Sequence, residues 1–226
     1  MKIVTVLKTG KDFDREYVER IAESVPACFE FVCLSDDPSV PGYIPLKYDY
    51  PTWWSKMEMF RPNIISDDIF YLDLDSIIVD DLSEELRAFD GFTNIIMLSD
   101  FYRPEKLASG VMFVPSKFRR RIWNEWIKRN PTAIMSEYRG DQDFIGELVD
   151  GEASVFDEVF PDWICSYKAH IAKTYPKHVT PQEIDPSKSK IVCFHGKPRP
   201  RDVDWRLNFE RTTNSGQTGT DSFTTQ

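Results

Sequence analysis

The segment YLDLDSIIVDDL, residues 71–82, decides the fold. It continues an apolar run that begins at Ile69, and it carries Asp73 and Asp75 on either side of Leu74. Successive side chains of an extended strand point to opposite faces, so residues i and i+2 share a face. The pattern therefore predicts a buried strand that presents both carboxylates to the same side.

Two carboxylates at a strand end predict a divalent-metal clamp. Hard oxygen ligands suit Mg²⁺ or Mn²⁺, and an ion held there can also bind the phosphates of a nucleotide diphosphate. The three-residue pattern also arises by chance, as acidic residues that simply end a strand. An EF-hand is excluded, because Ile77 and Ile78 stand where that loop needs an oxygen ligand and a glycine. An aspartate-nucleophile phosphatase stays open, although its motif usually lies near the chain start.

Short apolar runs on both sides of this segment predict further strands. They are KIVTVLK (2–8), EFVCLSDDP (30–38), NIIML (94–98), GVMFV (110–114), EASVF (152–156) and KIVCF (190–194). Helical or turn-like stretches separate them. This alternation predicts an α/β fold with a central mixed, mostly parallel sheet flanked by helices.

Two stretches show helical periodicity. The first follows the turn at Thr9-Gly10 and ends at Pro26. The second follows Pro115-Ser116. Its predicted apolar stripe is Phe118, Ile122, Trp126 and Ile127, with Arg119, Arg120 and Lys128 in solvent.

Length and composition predict one domain. The chain has 226 residues, of which 41% are hydrophobic, and no linker or internal repeat divides residues 1–211. Residues 212–226, TTNSGQTGTDSFTTQ, carry a single large apolar residue, so we expect a disordered polar tail there.

Charge and hydropathy exclude two classes of partner. A formal net charge of -9 argues against a nucleic-acid binder, which needs a basic surface. No apolar run approaches the ~18 residues of a membrane span, and no secretory signal is visible. We therefore expect a soluble, cytoplasmic protein, with Cys28, Cys33, Cys165 and Cys193 as reduced core thiols.

Four motifs together resemble one enzyme family. YLDLDSIIVDDL, ASGVMFV, GDQDF and IVCFHGKP occur in the order and approximate spacing of the GT-A-fold glycosyltransferases of the glycogenin and galactosyltransferase type, family 8. The resemblance spans most of residues 1–200. It implies a metal-dependent transfer of a sugar, with retention, from a nucleotide-diphosphate sugar, usually UDP-linked, to a hydroxyl acceptor such as a glycan, a lipid-linked sugar or a protein. A non-catalytic sugar- or nucleotide-binding module of the same fold stays an alternative.

The resemblance also implies a metal site and a phosphate contact. Asp73, Asp75 and His195 match the family's ligands for Mn²⁺ (or Mg²⁺). Gly196 and Lys197 match residues near the donor diphosphate, although a single glycine separates this histidine from its lysine where the family often has more residues. For His170 and His178, the pattern favours solvated side chains instead.

The sugar-binding wall is implied by GDQDF. Asp141 and Gln142 match the family's acidic residue and glutamine that contact the transferred sugar, and Asp143 follows them as a third candidate. A carboxylate there suits an oxocarbenium-like transition state. Asp141 would equally serve as a helix N-cap.

The remaining donor contacts come from four short segments. Ser109 and Gly110 stand where the family more often has Asn-Ala-Gly. The identity of the donor sugar therefore stays open. Trp53 and Trp54 suit either packing or a sugar face, whereas Trp123 and Trp126 have the spacing of core or interface residues. The donor-binding candidates are Leu7, Lys8, Thr9, Lys56, Leu74, Ser109, Gly110, Gly196 and Lys197.

Overall fold

The computed structural model describes residues 1–215. Within this range, numbered in chain order, the strands of the central sheet are β1 (Lys2–Leu7), β2 (Glu30–Ser35), β3 (Tyr43–Pro45), β4 (Ile69–Leu72), β6 (Ile96–Asp100), β7 (Arg103–Val114) and β8 (Ser154–Val155). Their order is β3-β2-β1-β4-β7-β6-β8. Strand β7 runs antiparallel to β4 and β6, and all other neighbours are parallel. The predicted mixed, mostly parallel sheet is confirmed.

Strand β1 lies in the middle of the sheet and is buried on both faces. Ile3 and Leu7 pack into the core on one side, and Val4 and Val6 pack into the core on the other. This two-sided burial explains the unbroken apolar run of the sequence. Because β1 pairs in parallel with β2 and β4, the carboxyl ends of the three strands meet at one edge. Open α/β sheets bind their ligands at such an edge.

Helices cover both faces of the sheet. They are α1 (Arg15–Ser24), α2 (Ser83–Ala88), α3 (Ser116–Lys128), α4 (Pro131–Glu137), α5 (Asp141–Val149), α6 (Phe156–Val159) and α7 (Trp205–Ser215). Side chains of α1, α2 and α6 enter one core, and those of α3, α4 and α5 enter the other. A 3₁₀ helix, Thr52–Phe60, packs with the second group.

Helix α3 corrects two details of the predicted apolar stripe. Phe118, Ile122 and Trp126 are buried as predicted, but Ile127 is 45% exposed. Arg119, expected in solvent, is buried, because its guanidinium donates to the carbonyl oxygens of residues 65 and 66. The charge of an arginine therefore does not by itself predict exposure to solvent, because the long side chain can reach carbonyl oxygens that lack a partner.

A second, three-stranded sheet completes the fold. It consists of β5 (Ser76–Ile78), β10 (Ile191–Cys193) and β9 (Ile164–Ser166), in that order. Strand β10 runs antiparallel to β5, with Cys193 opposite Ser76. This pairing brings the residues that follow β10 against the residues that precede β5.

The two aspartates lie in a turn rather than on a strand, which corrects the strand prediction. Strand β4 ends at Leu72, and the amide of Ser76 donates to the carbonyl of Asp73 over 2.9 Å. The chain therefore passes from the central sheet to the second sheet within residues 73–75. Both carboxylates still line one cavity, but the turn places them there, not the alternation of a strand.

Three further expectations concern the tail, the membrane and the thiols. Helix α7 reaches Ser215, inside the stretch predicted as a tail, and residues 216–226 lie outside the described range. No helix of the described part is long and apolar enough to cross a membrane. Cys33, Cys165 and Cys193 are buried free thiols as expected, whereas Cys28 is exposed.

Candidate functional site

A cavity of about 680 Å³ opens at the carboxyl ends of β1 and β4. It brings together most of the residues that the sequence singled out, from segments spread over the whole domain. Those that line it are Lys8, Thr9, Lys56, Asp73, Leu74, Asp75, Ser109, Gly110, Asp141, Gln142, His195 and Gly196.

Lys56 is the centre of a buried charge cluster on the floor of this cavity. The 3₁₀ helix carries it beneath the sheet edge, where its side chain is 5% exposed. Its Nζ lies 3.0 Å from Asp73 Oδ1 and 2.9 Å from Asp141 Oδ2, and it donates to Ser109 Oγ over 3.0 Å. One ammonium thus links two carboxylates that are far apart in sequence.

Asp141 is held from three directions. It begins α5, where an acidic residue is favoured by the helix dipole. Ser109 Oγ donates to its Oδ2 over 2.8 Å, in addition to the contact with Lys56. The carboxylate is therefore fixed in position and buried at the wall of the cavity, as a group that must act on one atom of a substrate requires.

The charge of Asp73 is only partly compensated, because Asp73 shares its ammonium partner with Asp141. It receives the hydroxyl of Tyr71 over 2.6 Å and shares Lys56 with Asp141. Its side chain is partly buried, with 36% exposed, and it lies against Tyr71, Lys56 and Gly110. This burial, with the neighbouring carboxylates, raises the pKa of Asp73 to about 6 against the opposing effect of Lys56. Burial also lowers the pKa of Lys56, but its two carboxylate partners outweigh burial and the net shift is upward.

Asp75 has a different set of partners, supplied by the chain after β10. Arg199 Nη1 and the amide of Gly196 both donate to its Oδ2, the amide over 3.2 Å. Gly196 has φ +107, in the left-handed region that favours glycine. Arg199 in turn lies with its guanidinium carbon 4.3 Å from the ring centroid of Phe13 and its Nη2 3.3 Å from Asp12.

His195 is a half-buried, neutral imidazole. Its Nε2 lies 2.6 Å from Ser166 Oγ, and its ring stacks on Phe101 at 5.4 Å between centroids. Burial, followed by the charge of Lys168, lowers the pKa of His195 to about 3. The ring is therefore uncharged near neutral pH, the form in which imidazole binds a metal.

The predicted metal ligands fit a divalent cation by their chemistry, since two carboxylates and a neutral imidazole line one cavity. Their side chains are not grouped, however. Within residues 1–215, no three His, Cys, Asp or Glu side chains stand close enough together to hold one ion. Asp75 faces Arg199 and His195 faces Ser166 in this arrangement.

The loop after β1 holds two predicted donor contacts through Asp36. The Asp36 carboxylate accepts from the amide and the hydroxyl of Thr9 over 2.9 and 3.0 Å, and it lies 3.1 Å from Lys8 Nζ. Asp49 lies on the other side of Lys8 at 2.8 Å. Leu7 is fully buried in the core and does not line the cavity.

The structure separates several neighbouring candidates. Gln142 lines the cavity, whereas Asp143 lines only a smaller cavity beside it. Lys197 lines neither, whereas Arg199, two residues later, lines the main cavity. Trp53 is exposed at the cavity mouth, whereas Trp54 is buried and stacks on Trp126.

Sequence reasoning missed three residues of the site. Tyr71 and Arg199 contact the two carboxylates, and Ser166 contacts His195. Tyr71 precedes Asp73 by two residues, so strand alternation would have placed it on the same side. Arg199 could have been found as the next basic residue after Lys197. Ser166, the partner of His195, carries no local signal, because only the pairing of β9 with β10 brings it there.

Comparisons with known proteins identify the fold. The sequence matches no protein-family model and no curated protein sequence. Among solved structures, the glycosyltransferase GlyE of Streptococcus pneumoniae superposes with a TM-score of 0.63 at 14% identity, covering 95% of this chain and 64% of GlyE. The galactosyltransferase LgtC, solved with donor and acceptor sugar analogues, gives a TM-score of 0.60 at 15% identity and covers 98% and 97% of the two chains.

A third neighbour is a glycosyltransferase involved in glycosylation of the major capsid of PBCV-1. It superposes with a TM-score of 0.56 at 13% identity and covers 94% of this chain and 99% of its own. At such low identity a structural likeness shows the fold and not the reaction. The chain therefore has the GT-A fold of these glycosyltransferases, while it spans about two thirds of the length of GlyE and nearly all of LgtC.

Proposed function

We propose that this protein is a glycosyltransferase that moves a sugar from a nucleotide-diphosphate sugar, UDP-linked, to a hydroxyl acceptor, with retention and with the help of Mn²⁺ or Mg²⁺. One observation carries the proposal. The turn with Asp73 and Asp75, the helix start with Asp141, and His195 meet in a single cavity at the ligand-binding edge of a GT-A sheet. The neighbouring structures are those of glycosyltransferases, which supports the same reaction class.

The charge of the cavity supports the need for a metal ion. Four basic and five acidic side chains line it, namely Lys8, Lys11, Lys56 and Arg199 against Asp12, Asp73, Asp75, Asp100 and Asp141. A diphosphate would meet a slight excess of negative charge there. A divalent cation on Asp73, Asp75 and His195 would offset this repulsion and, as a Lewis acid, stabilise the departing diphosphate.

The chain's own residues orient the sugar. Asp141, fixed by Lys56 and Ser109, presents an oxygen to the sugar hydroxyls and to positive charge that develops at the anomeric carbon. The bond from that carbon to the phosphate oxygen breaks and UDP departs with the electron pair, the acceptor oxygen forms the new bond to the carbon, and the proton of the acceptor hydroxyl passes to the departing diphosphate or to solvent. Gln142, at the same wall, is placed to donate to the sugar.

The proposal is tested by measuring UDP release from a panel of UDP-sugars, with Mn²⁺ and with a chelator. We expect release that depends on the metal and accelerates with an acceptor. Turnover that is equally fast in the chelator would contradict the metal requirement. Release of inorganic phosphate from a simple phosphomonoester would favour the phosphatase alternative instead.

The Asp75–Arg199 ion pair favours a second candidate, a binding module without turnover. An arginine that neutralises Asp75 leaves one fewer carboxylate for a metal. In that case UDP-sugars would bind equally well with and without Mn²⁺, and no sugar would be released from any of them. Calorimetric titration beside the release assay separates the two candidates.

A further inference from the structure

A second cavity, of about 520 Å³, adjoins the first on the side of α5. Asp100, Tyr102 and Gln142 line both cavities, so the two share a wall. The full lining of the second cavity is Asp100, Tyr102, Arg103, Lys106, Arg139, Gly140, Gln142 and Asp143. Of these residues, only Gln142 has a role in the proposed donor chemistry.

Its charges differ from those of the rest of the chain. Three basic residues line it against two acidic ones, in a protein whose formal net charge is -9. Arg103 is paired, since its Nη2 lies 2.7 Å from Asp100 Oδ2. Lys106 and Arg139 are exposed, and among the described residues no carboxylate oxygen lies within 4.0 Å of either cation. Two cations are thus available to a ligand at one place on an acidic surface.

An exposed tryptophan stands between the two cavities. Trp53 lines the first cavity and is 55% exposed. Its indole Nε1 lies 3.5 Å from the position that a Cβ would take on Gly140, which lines the second cavity. The exposed part of the Trp53 indole is therefore an apolar surface beside the second cavity, whereas the neighbouring Trp54 is buried and stacks on Trp126. Sugar rings present C–H groups that pack on such a face.

We propose that the second cavity is the acceptor subsite and that it takes an anionic saccharide. This inference rests on the proposed function. The phosphate or carboxylate of the acceptor binds Lys106 and Arg139, its ring lies on Trp53, and a hydroxyl then reaches the shared wall at Gln142. Charge-assisted hydrogen bonds to an anion are stronger than those to a neutral hydroxyl, so the pair of cations selects acceptors by charge.

The experiment is a set of calorimetric titrations on the full chain, with UDP present. The probes are glucose 6-phosphate, glucuronic acid and glucose, which separate phosphate, carboxylate and neutral ligands. The test variant is Lys106→Gln/Arg139→Gln. The matched control is Lys117→Gln/Arg120→Gln, which removes two exposed cations on α3 that line neither cavity. Trp53→Ala tests the apolar surface separately.

We expect at least one anionic sugar to bind tenfold or more tightly than glucose in the wild type and in the control. In the test variant that preference falls at least fivefold, and in Trp53→Ala all sugars weaken together. Equal affinities for the three probes, no binding of either anion, or an unchanged preference in the test variant would overturn the inference. UDP release from the donor without acceptor is measured in parallel, so a failure of the proposed function is seen independently of a failure of this subsite.

Discussion

Asp73 and Asp75 stand two residues apart, yet different parts of the molecule hold them. The partners of Asp73 are Lys56 and Tyr71, which belong to the central sheet and the helix beneath it. The partners of Asp75 are Gly196 and Arg199, which arrive from the end of the domain across the second sheet. Residues of the main core hold the Asp73 carboxylate in place. The Asp75 carboxylate receives these hydrogen bonds from the C-terminal segment instead.

The balance of charge differs in the same way. Asp75 shares the guanidinium of Arg199 with Asp12, which is 52% exposed to solvent, whereas Asp73 shares one ammonium with the buried Asp141, so the buried cluster keeps an uncompensated negative charge. A cation entering the cavity would therefore interact most strongly with Asp73. At Asp75 it would compete with Arg199.

The largest expected effect comes from Lys56→Met, which removes the ammonium group that holds Asp73. Two carboxylates would lose their shared cation in a buried site, which costs about 3 kcal/mol or more of unfolding free energy, and UDP release should be lost as well. Urea unfolding measures the first effect. Lys128→Met is the matched control, since its ion pair with Glu125 is exposed and lies outside the cavity, and its loss should cost about 1 kcal/mol or less. Equal costs for the two variants would show that the cluster is no more than a surface pair.

Asp75→Ala should separate activity from stability. We expect metal-dependent UDP release to fall on the order of 100-fold, with a smaller loss of unfolding free energy than in Lys56→Met, because Arg199 keeps Asp12 as a partner. The exposed Asp80→Ala is the control with the same chemical change. Full activity in Asp75→Ala would contradict its role as a metal ligand.

Arg199→Met removes the cation paired with Asp75 and so tests whether this ion pair opposes metal binding. If Arg199 competes with the metal, the Mn²⁺ concentration that gives half-maximal UDP release should fall several-fold. Arg201→Met, which removes a neighbouring ion pair with Asp14, should leave that concentration unchanged. A higher Mn²⁺ requirement in Arg199→Met would instead assign Arg199 to the donor diphosphate.

The smallest expected effect concerns pH and the packing behind His195. His170 Nδ1 accepts the amide of Ser166 over 2.8 Å, and burial lowers the pKa of His170. The unfolded chain then binds more protons than the folded one below the ordinary pKa of 6.5, so stability is full above that pH and is lost as the pH falls through it. Urea unfolding at pH 7, 6 and 5 should show a weaker loss in His170→Asn than in the wild type or in the exposed His178→Asn. Parallel curves for all three proteins would refute the assignment.

The sequence predicted the strands well but placed some side chains incorrectly. The apolar runs became β1, β2, β4, β6, β7 and β10, because a strand buried on both faces is apolar at most of its positions. His170, expected in solvent, is buried, because the π-helical turn Tyr167–Ile171 carries it into contact with Ser166 and Gln182. The pattern of residues around His170 in the sequence does not predict these contacts.

The amino-acid sequence by itself determined the α/β sheet and the set of polar side chains at its ligand-binding edge. These follow from local apolar periodicity and from the rule that parallel strands align their carboxyl ends. Only the tertiary structure decided the partners of those side chains. Arg199 rather than Lys197 reaches Asp75, and Lys56 joins Asp73 to Asp141, because both contacts connect segments that are remote in sequence and meet only when the sheets and helices pack.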